Sequence, residues 1–189
     1  MISSYKGKKY ELKGKKCTLT SITEKDLPNY VKWFSDPEVI EHLAADFSNL
    51  NMKKEKKWFD GEKKDKNSVT FGIKPKGSDK VAGSVSLHDI DLFNKKAVMG
   101  ISIANKEYWG KGIGTDAVSL IVDFGFKVIK LNSIYLIVHL LNKKAYHVYK
   151  KIGFKKSGLL PQHVRHNIPG KVEFDDAYIM TILKKDWKK

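Results

Sequence analysis

The chain has 189 residues, 41% apolar and 30% charged, a composition that supports one packed domain and excludes a disordered chain. No apolar run approaches the ~20 residues of a membrane span, and the single cysteine, Cys17, excludes an internal disulfide framework or a multi-cysteine metal site, so a reducing, cytoplasmic setting is expected. The formal charge is +15, but residues 1–16 supply +5 of it and residues 184–189 +3, and Arg165 is the only arginine, so the diffuse lysine charge fits a phosphate-rich ligand better than specific nucleic-acid recognition.

Residues 1–16 read as a basic N-terminal extension with no apolar signal segment behind it, and residues 17–189 as a single domain. A first strand is predicted at Cys17–Ile22. Thr23 then caps a helix whose apolar face is Leu27, Tyr30, Val31 and Phe34. Ser35-Asp36-Pro37 stops it, and a second short helix begins near Glu38. Residues 52–63 form a further amphipathic helix carrying Trp58 and Phe59. Three strands follow in series, at Val69–Ile73, Val81–Leu87 and Ala97–Ala104, with a turn at Pro75–Asp79; short connections make them antiparallel neighbours.

The pattern then changes. A glycine-rich turn, Trp109–Gly114, leads into a helix over 115–130, and that helix into Ser133–Leu141, an almost wholly apolar run suited to a strand covered on both faces. This is a βαβ unit, right-handed by default. A short helix over 143–151 and strands near Lys155–Leu159 and Phe174–Leu183 complete an α/β (α+β) chain: a mixed, mostly antiparallel sheet of six to seven strands with helices on both faces.

In Tyr108-Trp109-Gly110-Lys111-Gly112-Ile113-Gly114-Thr115, three glycines remove Cβ atoms in front of a helix N-terminus, whose free N–H groups and dipole favour an anion. The turn therefore suits a pyrophosphate. A nucleotide P-loop is excluded, because no Gly-Lys-[Ser/Thr] occurs. A dinucleotide fingerprint is formally met by Gly112-Ile-Gly114-Thr-Asp-Ala117. However, the next strand ends His139-Leu140-Leu141-Asn142, without the acid that would hold a ribose. An acyl-CoA cradle and a plain packing turn remain open on this segment alone.

Thirty residues on stands Asn142-Lys-Lys-Ala145-Tyr-His-Val-Tyr149-Lys-Lys-Ile-Gly153-Phe154. Together the two segments resemble the paired signatures of the GNAT N-acetyltransferases. The first is [Gln/Arg]-x-x-Gly-x-[Gly/Ala], matched at Gly112 and Gly114, with Trp109 where Gln or Arg is usual. The second is Asn-x-x-[Ala/Ser]-x-x-x-Tyr-x-x-x-Gly-Phe. The likeness runs from about Cys17 to Leu183. It is greatest to the branch of the ribosomal-protein N-terminal acetyltransferases and spermidine N-acetyltransferase, with further support from Trp33–Val39, Val81–Leu87 and Leu131–Val138.

The resemblance implies acetyl-CoA as co-substrate, bound where two parallel strands splay apart. The strands implied are Ala97–Ala104 and Ser133–Leu141. Backbone at Ile101, Ser102, Ile103 and Ala104 would meet the pantetheine. Trp109, Gly110, Lys111, Gly112, Ile113, Gly114 and Thr115 would hold the pyrophosphate, with Asn142 and Ala145 on the other side and Tyr149 facing the sulfur. It also implies direct attack by a primary amine, with Tyr149 protonating the departing thiolate. Asn142 equally suits an N-cap and Tyr149 a core position.

The strand before the turn, Ala97-Val98-Met99-Gly100-Ile101, carries no acid to serve as base. Glu38, Glu41, Asp89 and Asp91 are the carboxylates that remain for substrate or proton. His139 and His147 adjoin the site without metal spacing, so no metal is expected. The expected acceptor is a small-molecule or peptide amine. It is a polyamine such as spermidine in the first reading, and a ribosomal-protein N-terminus or an aminoglycoside in the second. An inactive acyl-CoA-binding sensor is the reading from a different class. No membrane partner is expected, and a homodimer or larger homo-oligomer is left open.

Overall fold

A computed structural model describes residues 10–165 and 173–188. Eight strands form one sheet: β1 (Leu12–Lys13), β2 (Cys17–Thr20), β3 (Val69–Pro75), β4 (Gly83–Asp91), β5 (Lys96–Ile103), β6 (Ser133–His139), β7 (Lys155–Arg165) and β8 (Phe174–Leu183). Their spatial order is β1-β2-β3-β4-β5-β6-β8-β7. All pairs are antiparallel except β5 with β6. The sheet thus has one strand more than the upper count expected. The extra strand is β1, two residues inside the segment read as an extension, pairing Leu12 with Leu19 and Lys13 with Thr18. Part of the basic N-terminal segment thus joins the sheet, and Tyr10 packs edge-on against Phe124 at 4.9 Å.

Five helices flank the sheet: α1 (Leu27–Trp33), α2 (Pro37–Ile40), α3 (Met52–Lys64), α4 (Ile113–Phe124) and α5 (Lys143–Ile152). The Thr23 start is a capping box with Asp26, opening a short 3₁₀ turn ahead of α1. One face of the sheet holds the main core. Phe71, Val85, Leu87, Met99, Ile134 and Leu136 pack there against Ala117, Val118, Ile121 and Val122 of α4, and Tyr149 of α5 joins them. Each fully buried aliphatic side chain in that layer contributes on the order of 1.5–3 kcal/mol. Side chains alternate along a strand, so Thr70, next to core-facing Phe71, points to the second face, where it hydrogen-bonds Glu62 of α3. Tyr30 of α1 donates to the Gly83 carbonyl at 2.8 Å. Helices therefore cover both faces, α4 and α5 on one, α1 and α3 on the other.

Three expectations are corrected. The helix after the glycine turn starts at Ile113 rather than 115, and past Phe124 it widens into a π-type turn at Gly125–Ile129. A Cβ at Gly125 would lie 2.7 Å from Ile134 and 3.1 Å from Leu87, so the close approach of helix to sheet requires glycine there. The apolar β6 is not covered on both faces: Ile137 is 40% exposed. β7 runs to Arg165 rather than ending near Leu159, because after an irregularity past Leu160 β8 pairs again with Val164 and Arg165.

Candidate active site

β5 and β6 pair in parallel at only three positions, Lys96↔Ser133, Ala97↔Ile134 and Val98↔Tyr135. Beyond Val98, β5 continues to Ile103 while staying fully paired with β4 on its other side, up to Gly83↔Ile103. β6 continues to His139 paired with β8. Each strand thus follows its antiparallel neighbour, and a wedge opens between them. The facing edges carry backbone N–H and C=O groups without ladder partners, and such groups are costly away from water. An extended ligand with amides of its own can pair with them.

At the wide end of the wedge stands the glycine turn. Gly110 and Gly112 have φ of +73° and +77°, the left-handed region that excludes most side chains. Gly112 is the residue before α4, and the first helical bond runs from Asp116 N–H to the Gly112 carbonyl at 3.2 Å. The amides of Ile113, Gly114 and Thr115 therefore have no partner within the helix. Gly114 is helical; its place follows from packing on Ile103, 3.6 Å from a Cβ built there. Trp109, where the family pattern has Gln or Arg, donates its indole N–H to the Ile103 carbonyl at 2.6 Å. Ala104 is fully buried. Of the four strand residues expected at the pantetheine, Ile101 thus presents the freest backbone, because the Ser102 carbonyl is turned toward β4, against a Cβ built on Gly83.

Lys16 is a residue that sequence reasoning missed here. Its ammonium donates to the Lys111 carbonyl at 2.6 Å and lies 3.1 Å from a Cβ built on Gly112, so two lysines stand at the turn. Asp116 holds it there, accepting from Lys16 N–H at 2.7 Å and Cys17 N–H at 3.1 Å. Burial pushes the Asp116 carboxyl up, but the backbone N–H groups of Lys16, Cys17 and Lys15 outweigh it and hold it below the usual value. Burial, and then Asp116 itself, push the Cys17 thiol up to about 12. It is a core thiol with no nucleophile's character. No short-range pattern links residue 16 to residue 112; only the β2–α4 contact does.

Across the wedge, Asn142 caps α5, accepting from Ala145 N–H at 3.0 Å. Among the described residues no hydrogen bond engages its amide N–H₂, so the cap and a ligand contact are compatible. Tyr149, one turn past Ala145, is 9% exposed. Burial pushes its phenol up to about 12, which keeps it protonated at neutral pH. Among the described residues, no side-chain hydrogen bond engages its hydroxyl.

The four candidate carboxylates are scattered. Glu38 shares Lys106 with Asp36, at 2.9 and 2.6 Å, clamping α2 to the segment just before the glycine turn. Glu41 lies 3.8 Å from His42. Asp91 accepts from Asn94 at the β4–β5 turn, far along the sheet from the wedge mouth. Asp89 lies 3.0 Å from Nδ1 of His88. Of the two histidines singled out in the sequence, His147 bonds the Lys143 carbonyl of its own helix. His139 is 3% exposed, 3.8 Å from Asp175 and 5.9 Å, ring to ring, from His42.

The family model for the acetyltransferase (GNAT) domain matches residues 16–155. The chain belongs to the GNAT acetyltransferase family. An uncharacterised N-acetyltransferase, p20 of Bacillus licheniformis, is 26% identical over 172 residues, 90% of this chain and 94% of that protein. Spermidine N(1)-acetyltransferase of Escherichia coli K12 is 44% identical over 79 residues, 42% of each chain. The structure of spermidine N-acetyltransferase from Vibrio cholerae in complex with CoA and spermine superposes with a TM-score of 0.81 at 22% identity, over 90% of this chain and 96% of that one, a likeness of fold. GNAT enzymes use acetyl-CoA, and the wedge with its glycine turn fits that co-substrate: a strand edge to pair with amides, then bare N–H groups and lysines for phosphates. No helix among the described residues is long and apolar enough to cross a membrane.

Proposed function

We propose that this protein transfers the acetyl group of acetyl-CoA directly to a primary amine, both reactants being held together in one complex. The observation that carries this reading is the unpaired edge of β5 past Val98, ending at a turn whose amides face outward. Pantetheine lies along that edge at Ile101, and the pyrophosphate sits on Gly112–Thr115 with Lys16 and Lys111 beside it. Asn142 steadies the arm from α5. Holding amine and thioester together removes the entropic cost of a bimolecular encounter. The amine attacks the carbonyl carbon, the C–S bond breaks, and Tyr149 gives its proton to the departing sulfur. The phenol then recovers a proton from the new amide nitrogen. A cytoplasmic setting suits this chemistry and the reduced, buried Cys17.

For the acceptor we propose a polyamine such as spermidine first, supported by the local similarity to the E. coli spermidine enzyme. A peptide N-terminus is the second reading. It is favoured by a specific observation: Glu38, Asp89 and Asp91 are each engaged by a neighbour, which weakens the carboxylate lining a polycation needs. Thiol release from acetyl-CoA, followed with spermidine, spermine, short peptides and aminoglycosides, tests the proposal. Release that depends on one amine class identifies the acceptor. CoA binding without release from any of them would leave the sensor reading instead.

A further inference from the structure

The base that takes the amine's proton has no place in the strand sequence Ala97–Ile101. We propose that His88 is this base and that Asp89 positions it. The inference rests on the direct-transfer reading above.

The geometry begins with a bulge. β4 and β5 pair regularly to His88↔Val98, and the register then shifts before Asp91↔Lys96. Asp89 has φ of +50°, a left-handed backbone at a residue with a side chain. In a regular strand, neighbours 88 and 89 would point to opposite faces. The bulge breaks that alternation and brings the Asp89 carboxylate within 3.0 Å of His88 Nδ1. A carboxylate only accepts, so Nδ1 carries the hydrogen and Nε2 is left as the acceptor. Among the described residues, nothing hydrogen-bonds Nε2.

The location fits as well. Val85 and Leu87 face the α4 core, so His88 faces the opposite side with Ser84 and Ser86. There Nε2 lies 3.8 Å from a Cβ built on Gly100 of β5, and Ser86 Oγ 3.3 Å from it. Gly100 stands two residues past the last β5–β6 pair, at the apex of the wedge. Its missing side chain leaves the imidazole an open path over β5. The floor of that face continues across β6 as Tyr135 and the exposed Ile137.

The charged groups near His88 are few. Asp89 is on its own strand. Glu62 of α3 reaches the same side through Ser68 and Thr70 of the β3 region. β5 offers the uncharged Val98 and Gly100 and, two residues before Val98 on the same face, the ammonium of Lys96, and β6 the phenol of Tyr135.

The proton balance closes. An ammonium R–NH₃⁺ gives one proton to His88 Nε2, and the freed amine attacks the thioester carbonyl. As the C–S bond breaks, sulfur takes the Tyr149 proton, and the phenol regains one from the nitrogen. The products are the acetamide, CoA thiol and one proton, which His88 returns to solvent.

The test compares H88Q, D89N and D89E with the wild type over pH 6 to 10, measuring kcat/KM for the best amine and CoA affinity by calorimetry. H88Q is expected to lose at least tenfold in kcat/KM at pH 7 with CoA affinity unchanged. The deficit should shrink toward high pH, where the amine is already neutral. D89N should move the acid limb of the profile to lower pH, and D89E should restore it in part. H88Q matching the wild type throughout overturns the base, and an unmoved limb in D89N overturns the positioning role. A wild type that binds CoA yet acetylates no amine fails the transfer reading, and this one with it. A wild type that turns over while H88Q matches it fails only the dyad.

Discussion

The proposed cofactor side of the wedge is assembled from residues close together in sequence. Gly110, Gly112 and the α4 N-terminus lie within five residues, and Asn142, Ala145 and Tyr149 within eight on one helix face. The proposed acceptor side draws on distant segments. Ser86 and His88 come from β4, Gly100 from β5, Ile137 from β6 and Glu62 from α3. The first side reads as a pattern because backbone requirements dictate residue types. The second does not, because its side chains only have to converge.

Breaking the cofactor side should give the largest effect. Gly112→Val places a branched side chain at φ of +77° and against Lys16, and CoA affinity is expected to fall at least ~100-fold. Gly110→Ala is the control. Its φ of +73° imposes a similar strain of about 1–2 kcal/mol, but nothing lies within 4 Å of the added Cβ, so binding should suffer far less. Calorimetric titration of CoA separates blockade from strain; equal losses would remove Gly112 from the phosphate seat.

Tyr149→Phe comes next. If the phenol is the acid, kcat should drop at least ~10-fold with CoA affinity within ~2-fold of wild type. An unchanged kcat would make Tyr149 a core residue only.

Asp116→Asn tests the long-range link between the N-terminal segment and the turn. Loss of the charge-assisted bonds to Lys16 and Cys17 should lower stability by about 1–3 kcal/mol. The folded carboxyl titrates below the ordinary value, so it stabilises the chain above about pH 4 and loses that contribution as pH falls through the lower folded value. Melting curves between pH 3 and 7 should show a flatter acid side for the variant. An unaltered slope would mean that Asp116 carries no such linkage.

The smallest effect is expected at Lys106. Its pairing with Asp36 and Glu38 is exposed, so Lys106→Gln should leave the melting temperature almost unchanged. The amine KM, if α2 borders the acceptor site, should still change and do so less at high salt. An amine KM equal to wild type at low salt would separate α2 from acceptor binding.

The sequence by itself determined the order of elements from β2 onward and the βαβ unit, and its resemblance to the paired GNAT signatures marked the proposed cofactor side. Helical and strand periodicities, glycine before a helix and an Asn-to-Tyr spacing are local rules, and a local rule can be read along a line. Tertiary structure decided where the wedge opens, because that depends on β5 holding to β4 while β6 holds to β8. It brought Lys16 onto Gly112 through Asp116, 100 residues away, and drew β1 out of the N-terminal extension. It also turned His88 and Asp89, adjacent residues with no spacing signal, into a pair through one bulge. Contacts of that kind arise from strand register and helix docking, which are settled only when the whole sheet packs.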